Sequence, residues 1–137
     1  MASAVLDQAG GWVLRREGKT DIAMRHNEWG KTSDKEDMPR VAAALSDIDG
    51  LAATARKLIA DKMYETWRDA WKTEADDDLD RAAFMEKLVL TGINYPSSKF
   101  LHSHVDLNFD DSGMFNGHMF YAMFTLDGTY VDFEMFG

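Results

Sequence analysis

Two histidines at i and i+2, His102 and His104, sit in the run Phe100 to Phe109, where apolar and polar residues alternate, and Asp106 and Asn108 share their parity. On a β-strand such residues point the same way, and two imidazoles with a carboxylate are ligand types that zinc accepts. The spacing forces no fourth ligand, and a solvent-facing strand is polar in any case. No metal and no other cofactor is therefore expected, and His102, His104 and Asp106 are the residues on which a metal reading rests. Acid–base chemistry has a related opening, with Asp132 or Glu134 as base and His104 as its partner across Tyr121. Two other acidic patterns carry less. Asp106-Leu107-Asn108-Phe109-Asp110 begins like a calcium loop, but Asp111 stands where glycine is needed and Gly117 where glutamate is. Asp76-Asp77-Asp78 reads as a solvated helix cap, because adjacent carboxylates diverge. No nucleophile elbow, phosphate loop or dinucleotide fingerprint is present, so catalysis is the minority reading.

These side chains need a sheet to position them, and the C-terminal stretch supplies one. Met119 to Leu126 and Thr129 to Phe136 are strand-like runs joined by Asp127-Gly128, the dipeptide of a two-residue type I′ hairpin turn. Such a turn sets Leu126 opposite Thr129, Phe124 opposite Val131, Ala122 opposite Phe133 and Phe120 opposite Met135, all on the core side. The other side carries Met119, Tyr121, Met123 and Thr125 opposite Phe136, Glu134, Asp132 and Tyr130. A hairpin through Asp110 to Phe115 brings Val105 near Phe120, which aligns His104, Tyr121 and Glu134 in one row and His102, Met123 and Asp132 in the next. Strands lie about 4.8 Å apart, leaving roughly 10 Å between the histidines and the acids. His118 falls on the core side beside Leu107 and Gly137 and reads as a hydrogen-bonded structural residue.

Upstream, Gly11 to Arg16 and Thr20 to His26 form a small hairpin around Glu17-Gly18-Lys19, and Asn27 to Met38, with Trp29, is a loop. Pro39 opens a first helix. Ser46 with Asp49 caps a second, in which Leu51, Ala55, Ile59, Met63, Trp67 and Trp71 recur at steps of four, with Leu58 beside them. That stripe packs on the sheet, its tryptophans read as core and not as a recognition surface. A short helix spans Leu79 to Lys87, capped by the triple Asp, and a strand follows from Leu88 to Tyr95, turning at Pro96-Ser97-Ser98. The expected fold is α+β: a C-terminal antiparallel β-meander of about four strands, two or three helices packed on one face and a small N-terminal β-hairpin, in a single domain over 1–137.

Composition narrows the partners. Acidic residues outnumber basic ones by 24 to 15, the net charge is −9, and there is no cysteine among the 137 residues. That balance argues against a basic patch for nucleic acid, and the absence of cysteine excludes a disulfide framework and a thiolate catalyst. The apolar stretches are too short for a signal peptide or a membrane span, so a cytoplasmic protein is expected.

A Trp-ending helix (Tyr64-Glu65-Thr66-Trp67), an acidic link, a short helix with Ala83-Phe84-Met85, then D-D-S-G-M-F-N-G-H, a D-G turn and a terminal glycine follow one another in order. Over roughly residues 62 to 137 this succession resembles a bacterial family of unknown function, the one numbered 2262. The resemblance marks Trp67, Phe115, Gly117, His118, Asp127, Gly128 and Gly137. It departs at Asn116, where the family has tryptophan in a Phe-Trp-Gly-His strand. An α+β domain of bacterial or phage type is implied, and no activity.

The resulting expectation is a non-catalytic protein-binding module. Met119, Tyr121, Met123, Tyr130, Asp132 and Glu134, with His104, make a face that is half apolar and half acidic, suited to a basic protein partner or to partial cover in a homodimer. Immunity proteins offer a fold-level analogy. The alternative is a metal-assisted or acid–base enzyme using His102, His104, Asp132 and Glu134 on the same face.

Overall fold

The structure, a computed structural model, describes residues 2–6, 12–26, 34–95 and 104–136. Its strands are β1 (Ser3–Leu6), β2 (Trp12–Arg15), β3 (Ile22–His26), β4 (Val89–Tyr95), β5 (His104–Asp110), β6 (Met119–Thr125) and β7 (Tyr130–Phe136). They form one sheet in chain order from β1 to β7. Neighbours are antiparallel except β3 and β4, which run parallel. A parallel pair cannot be closed by a hairpin and needs a crossover. That crossover contains α1 (Asp34–Ala44), α2 (Ile48–Thr66) and α3 (Arg81–Lys87). The fold is α+β, and the N-terminal strands belong to the main sheet, joined by a first strand that the sequence reading did not identify.

Cross-strand packing holds the layers together. Trp12, Met24, Ile93, Leu107, Ala122 and Phe133 are successive neighbours from β2 to β7. They merge with Val41, Ile48, Ala55, Ile59 and Phe84 of the helical layer in one apolar cluster. Each large aliphatic or aromatic side chain so buried contributes about 1.5–3 kcal/mol. The α2 stripe behaves as its spacing predicts: Ala55, Ile59 and Trp67 are buried, and Leu51, Met63 and Trp71 pack partly against the core. Beyond Thr66 the helix widens into a π-helical turn, Trp67–Trp71, where the Lys72 N–H reaches the Trp67 carbonyl at 2.7 Å. Both tryptophans face aromatic neighbours, Trp67 against Tyr64 and Phe84, Trp71 edge-on to Phe115 and His118.

Helix starts differ from the sequence reading. The first helix begins at Asp34, inside the expected loop, so Pro39 is interior. A charged, aperiodic run such as Asp34-Lys35-Glu36-Asp37 carries no hydrophobic pattern from which a helix start could be read. The cap of α2 is Asp47, which accepts the Gly50 N–H at 3.3 Å, because Ser46 is spent on the Ala43 carbonyl at 2.9 Å. Asp80 caps α3 through the Ala83 N–H at 2.8 Å. The triple Asp serves the preceding link: Asp76 accepts from the Thr73 N–H at 2.8 Å and Asp78 meets Lys72 at 2.6 Å. Trp29 and the turn at Pro96-Ser97-Ser98 lie outside the described residues.

Candidate functional site

The face of the sheet away from the core rows carries the predicted site, and two register findings decide its geometry. Between β5 and β6, Asp106 pairs with Met123, Asn108 with Tyr121 and Asp110 with Met119, while His104 faces Thr125. Between β6 and β7, Tyr121 pairs with Glu134 and Met123 with Asp132. The rows are therefore Asn108–Tyr121–Glu134 and Asp106–Met123–Asp132. His104, expected beside Tyr121, lies four residues further along β5. At about 3.4 Å per residue and 4.8 Å per strand, that puts it roughly 16 Å from Glu134, too far to share a proton with it.

The reason is the compact link between β5 and β6. Asp111 is fully buried, and its carboxylate accepts the N–H groups of Gly113 at 2.8 Å, Phe115 at 2.8 Å and Gly117 at 3.1 Å. Gly117 (φ +84°) and Asn116 (φ +60°) take the left-handed conformation that this tight path needs. The strand consequently starts at Met119, and His118 sits in the turn instead of beside Leu107. Its Nδ1–H donates to the Phe115 carbonyl, and its ring stands 5.6 Å from that of Trp71. His118 is hydrogen-bonded, as expected, but at a position the expected register misplaced.

The β6–β7 turn also departs from expectation. Gly128 donates to the Thr125 carbonyl at 3.0 Å and Thr125 to the Thr129 carbonyl at 2.8 Å. Gly128 alone of the Asp-Gly pair has positive φ. Leu126-Asp127-Gly128 is thus a three-residue loop of the type I plus bulge kind, not a two-residue type I′ turn. Bonds from the Thr125 hydroxyl, and from the Thr129 hydroxyl and N–H, hold the Asp127 carboxyl below the usual carboxylate range. A second irregularity follows, where Phe124 pairs with Tyr130 and Val131 is passed over. Val131, expected in the core, is 38% exposed, and Tyr130, expected on the outer face, packs edge-on against Phe124 at 5.6 Å. Burial, and then the charge of Asp132, push the Tyr130 phenol up to about 12.

What remains on the outer face is Met119, Tyr121, Met123, Asp132 and Glu134, now with Asp106 and Asn108 among them. Its centre is closed to solvent: Asp106 is 1%, Met123 2% and Asn108 7% exposed. Asp132 and Glu134 are exposed. The Asp132 carboxylate accepts the N–H of Phe133 at 2.8 Å, occupying an amide of an edge strand. Burial raises the Tyr121 phenol, Asp106 adds to this, and Arg25 opposes it. Arg25 and Asn94 extend the Asp106 row across β3 and β4, and Ala23 and Gly92 extend the Asn108 row. Sequence reasoning placed Asn108 on this face but not in this row. It had no signal for Arg25, whose position follows from a parallel pairing that no turn announces.

His102 lies outside the described residues. Among the described residues no group of three or more histidine, aspartate and glutamate side chains is placed to hold a metal ion. Elsewhere, a cleft of about 360 Å³ is lined by Arg16, Lys19, Asp47 and Asp49, its cations matched by Asp49 at 2.7 and 3.1 Å. No described helix is long and apolar enough to cross a membrane. No family model matches the chain, and neither a curated protein nor a solved structure was found to be similar to it.

Proposed function

We propose that the chain is a non-catalytic, cytoplasmic protein-binding module of an uncharacterised bacterial family, docking a basic protein partner through the outer face of β5–β7. One observation carries this reading: Tyr121 and Met119 border an acidic rim of Asp110, Asp132 and Glu134 on that face. Aromatic and methionine side chains ringed by charge are the composition of a protein interface, and an excess of nine negative charges steers a basic partner toward it. The kinship with immunity proteins is analogy of fold alone and forms part of the same proposal.

The test starts from capture of the partner with the purified chain in its native host, followed by affinity measurements on the isolated pair. Tyr121→Ala and Glu134→Lys are each expected to weaken the complex tenfold or more, about 1.4 kcal/mol or above, with unchanged circular dichroism. Asp132 is a poorer probe, because its carboxylate also holds the Phe133 amide. Added salt should slow association. A partner that binds both variants as tightly as the parent would remove this face from consideration.

A further inference from the structure

Between α2 and α3 runs a cleft of about 430 Å³, lined by Ala53 and Arg56 from the first helix and by Ala82, Met85 and Glu86 from the second. Two small residues leave it open, since Ala53 and Ala82 are exposed and neither is long enough to fill it. Met85 packs partly against the core and gives the cleft an apolar wall. Arg56 is the cation of the lining, and its charge is held in place. Its Nε–H donates to the Leu88 carbonyl at 2.8 Å, just past the end of α3, and its guanidinium carbon stands 5.3 Å from the centre of the Phe109 ring. Carbonyl and ring together orient the group. Burial holds its pKa below the ordinary arginine value, with the charge of Asp49 opposing this and that of Arg16 adding to it. Asp49 is already engaged by Arg16 at 2.7 Å and Lys19 at 3.1 Å. Among the described residues Arg56 meets no carboxylate, and its Nη groups, which have no acceptor there, are not cut off from solvent.

We infer that this cleft binds a small carboxylate with an apolar body, the carboxylate accepting from the two Nη groups of Arg56 and the hydrocarbon lying on Ala53, Ala82 and Met85. A partly desolvated guanidinium held in one orientation favours a planar anion that takes two parallel N–H bonds. Apolar walls with one well-placed polar group are the composition of a small-molecule site. Glu86, exposed in the same lining, repels negative charge and so restricts the ligand to one acid group, placed at Arg56. The site belongs to the helical layer and does not depend on the docking face of the sheet.

The experiment uses the whole chain with labelled alanine and methionine methyl groups, titrated with octanoate, with neutral octanamide and with acetate. Octanoate is expected to give saturating shifts at Ala53, Ala82 and Met85, octanamide to bind roughly tenfold more weakly, and acetate to give none. Arg56→Gln gives up the Leu88 bond as well as the charge, so its readout is a ratio: octanoate and octanamide should bind it equally, whatever the change in melting temperature. Glu86→Gln should tighten octanoate about twofold and leave octanamide unchanged. Ala53→Leu combined with Ala82→Leu keeps good helix formers at exposed positions, so this chain should fold while losing the shift at Met85. Equal affinity of the parent chain for octanoate and octanamide, or a preference for octanoate that survives Arg56→Gln, would overturn the assignment. So would weaker octanoate binding by Glu86→Gln, octanoate binding unaltered by the double leucine variant, or no saturable shift at the three methyl groups below the micellar concentration.

Discussion

Asp111 does for the β5–β6 link what a metal or disulfide does in other small loops: one buried carboxylate gathers three backbone N–H groups over five residues of chain. Hydrogen bonds to a charged acceptor contribute about 1.5–3 kcal/mol each, and their loss strands buried donors. Asp111→Ala is therefore expected to lower the unfolding free energy by about 3 kcal/mol or more, read from the urea midpoint at constant slope. Asp111→Asn, with one acceptor oxygen left, should fall between; a midpoint unmoved by Asp111→Ala would remove the residue from this role. In the sequence this aspartate was one more acid in an Asp-Ser-Gly turn. The residues marked by the resemblance included its consequences, buried Phe115 and left-handed Gly117, whereas Asp111 stood in the same D-D-S-G-M-F-N-G-H run unmarked. Burial of a charge with backbone partners leaves no periodic trace, so it is legible only once the loop is folded.

Elements show a different balance between what could be read and what could not. Apolar runs placed β4 to β7, and alternation placed the core face of β5 and β6 but failed on β7 at Tyr130 and Val131, because period-two patterning is enforced only where one side of a strand is apolar and the ladder is regular. Register was harder. Between β6 and β7 the expected pairing of Tyr121 with Glu134 and Met123 with Asp132 holds, although the turn has three residues instead of two. The extra turn residue and the bulge at Val131 shift the pairing in opposite senses and cancel. Between β5 and β6 nothing in the sequence revealed the Asp111 link, and the shift by four residues kept every face while changing every row. Tyr130 reports on the bulge. With its phenol raised to about 12 by burial and by Asp132, the folded state holds its proton more tightly than the unfolded chain, whose tyrosines ionise near 10. That contribution to stability is complete below pH of about 10 and is lost as pH rises through about 12. Tyr130→Phe should flatten the alkaline limb of a melting-temperature profile. A tyrosine at 130 that ionises like one in water would place it outside and deny the bulge.

At the scale of the molecule, a single parallel seam joins two antiparallel halves, β1–β3 and β4–β7. The N-terminal half has strands of four or five residues against seven in the other. Shorter strands and fewer ladder bonds give a smaller opening free energy. Native-state hydrogen exchange should therefore show amides of β1–β3 exchanging through a partial opening while β6 exchanges only with global unfolding; uniform protection across the seam would show one cooperative unit. The helices escaped this division in the sequence because their stripe fixes only that they cover the sheet, not which strands they connect. Chain-ordered strands also set how the fold meets mechanical load. Residues 3 and 136 sit on opposite edge strands, separated by six strand spacings, roughly 29 Å. Tension between them pulls across the strands, so it loads hydrogen bonds one after another instead of all together. Held by these two points, the sheet would unzip from its edges at low force, whereas traction along a single strand would meet a whole ladder in shear.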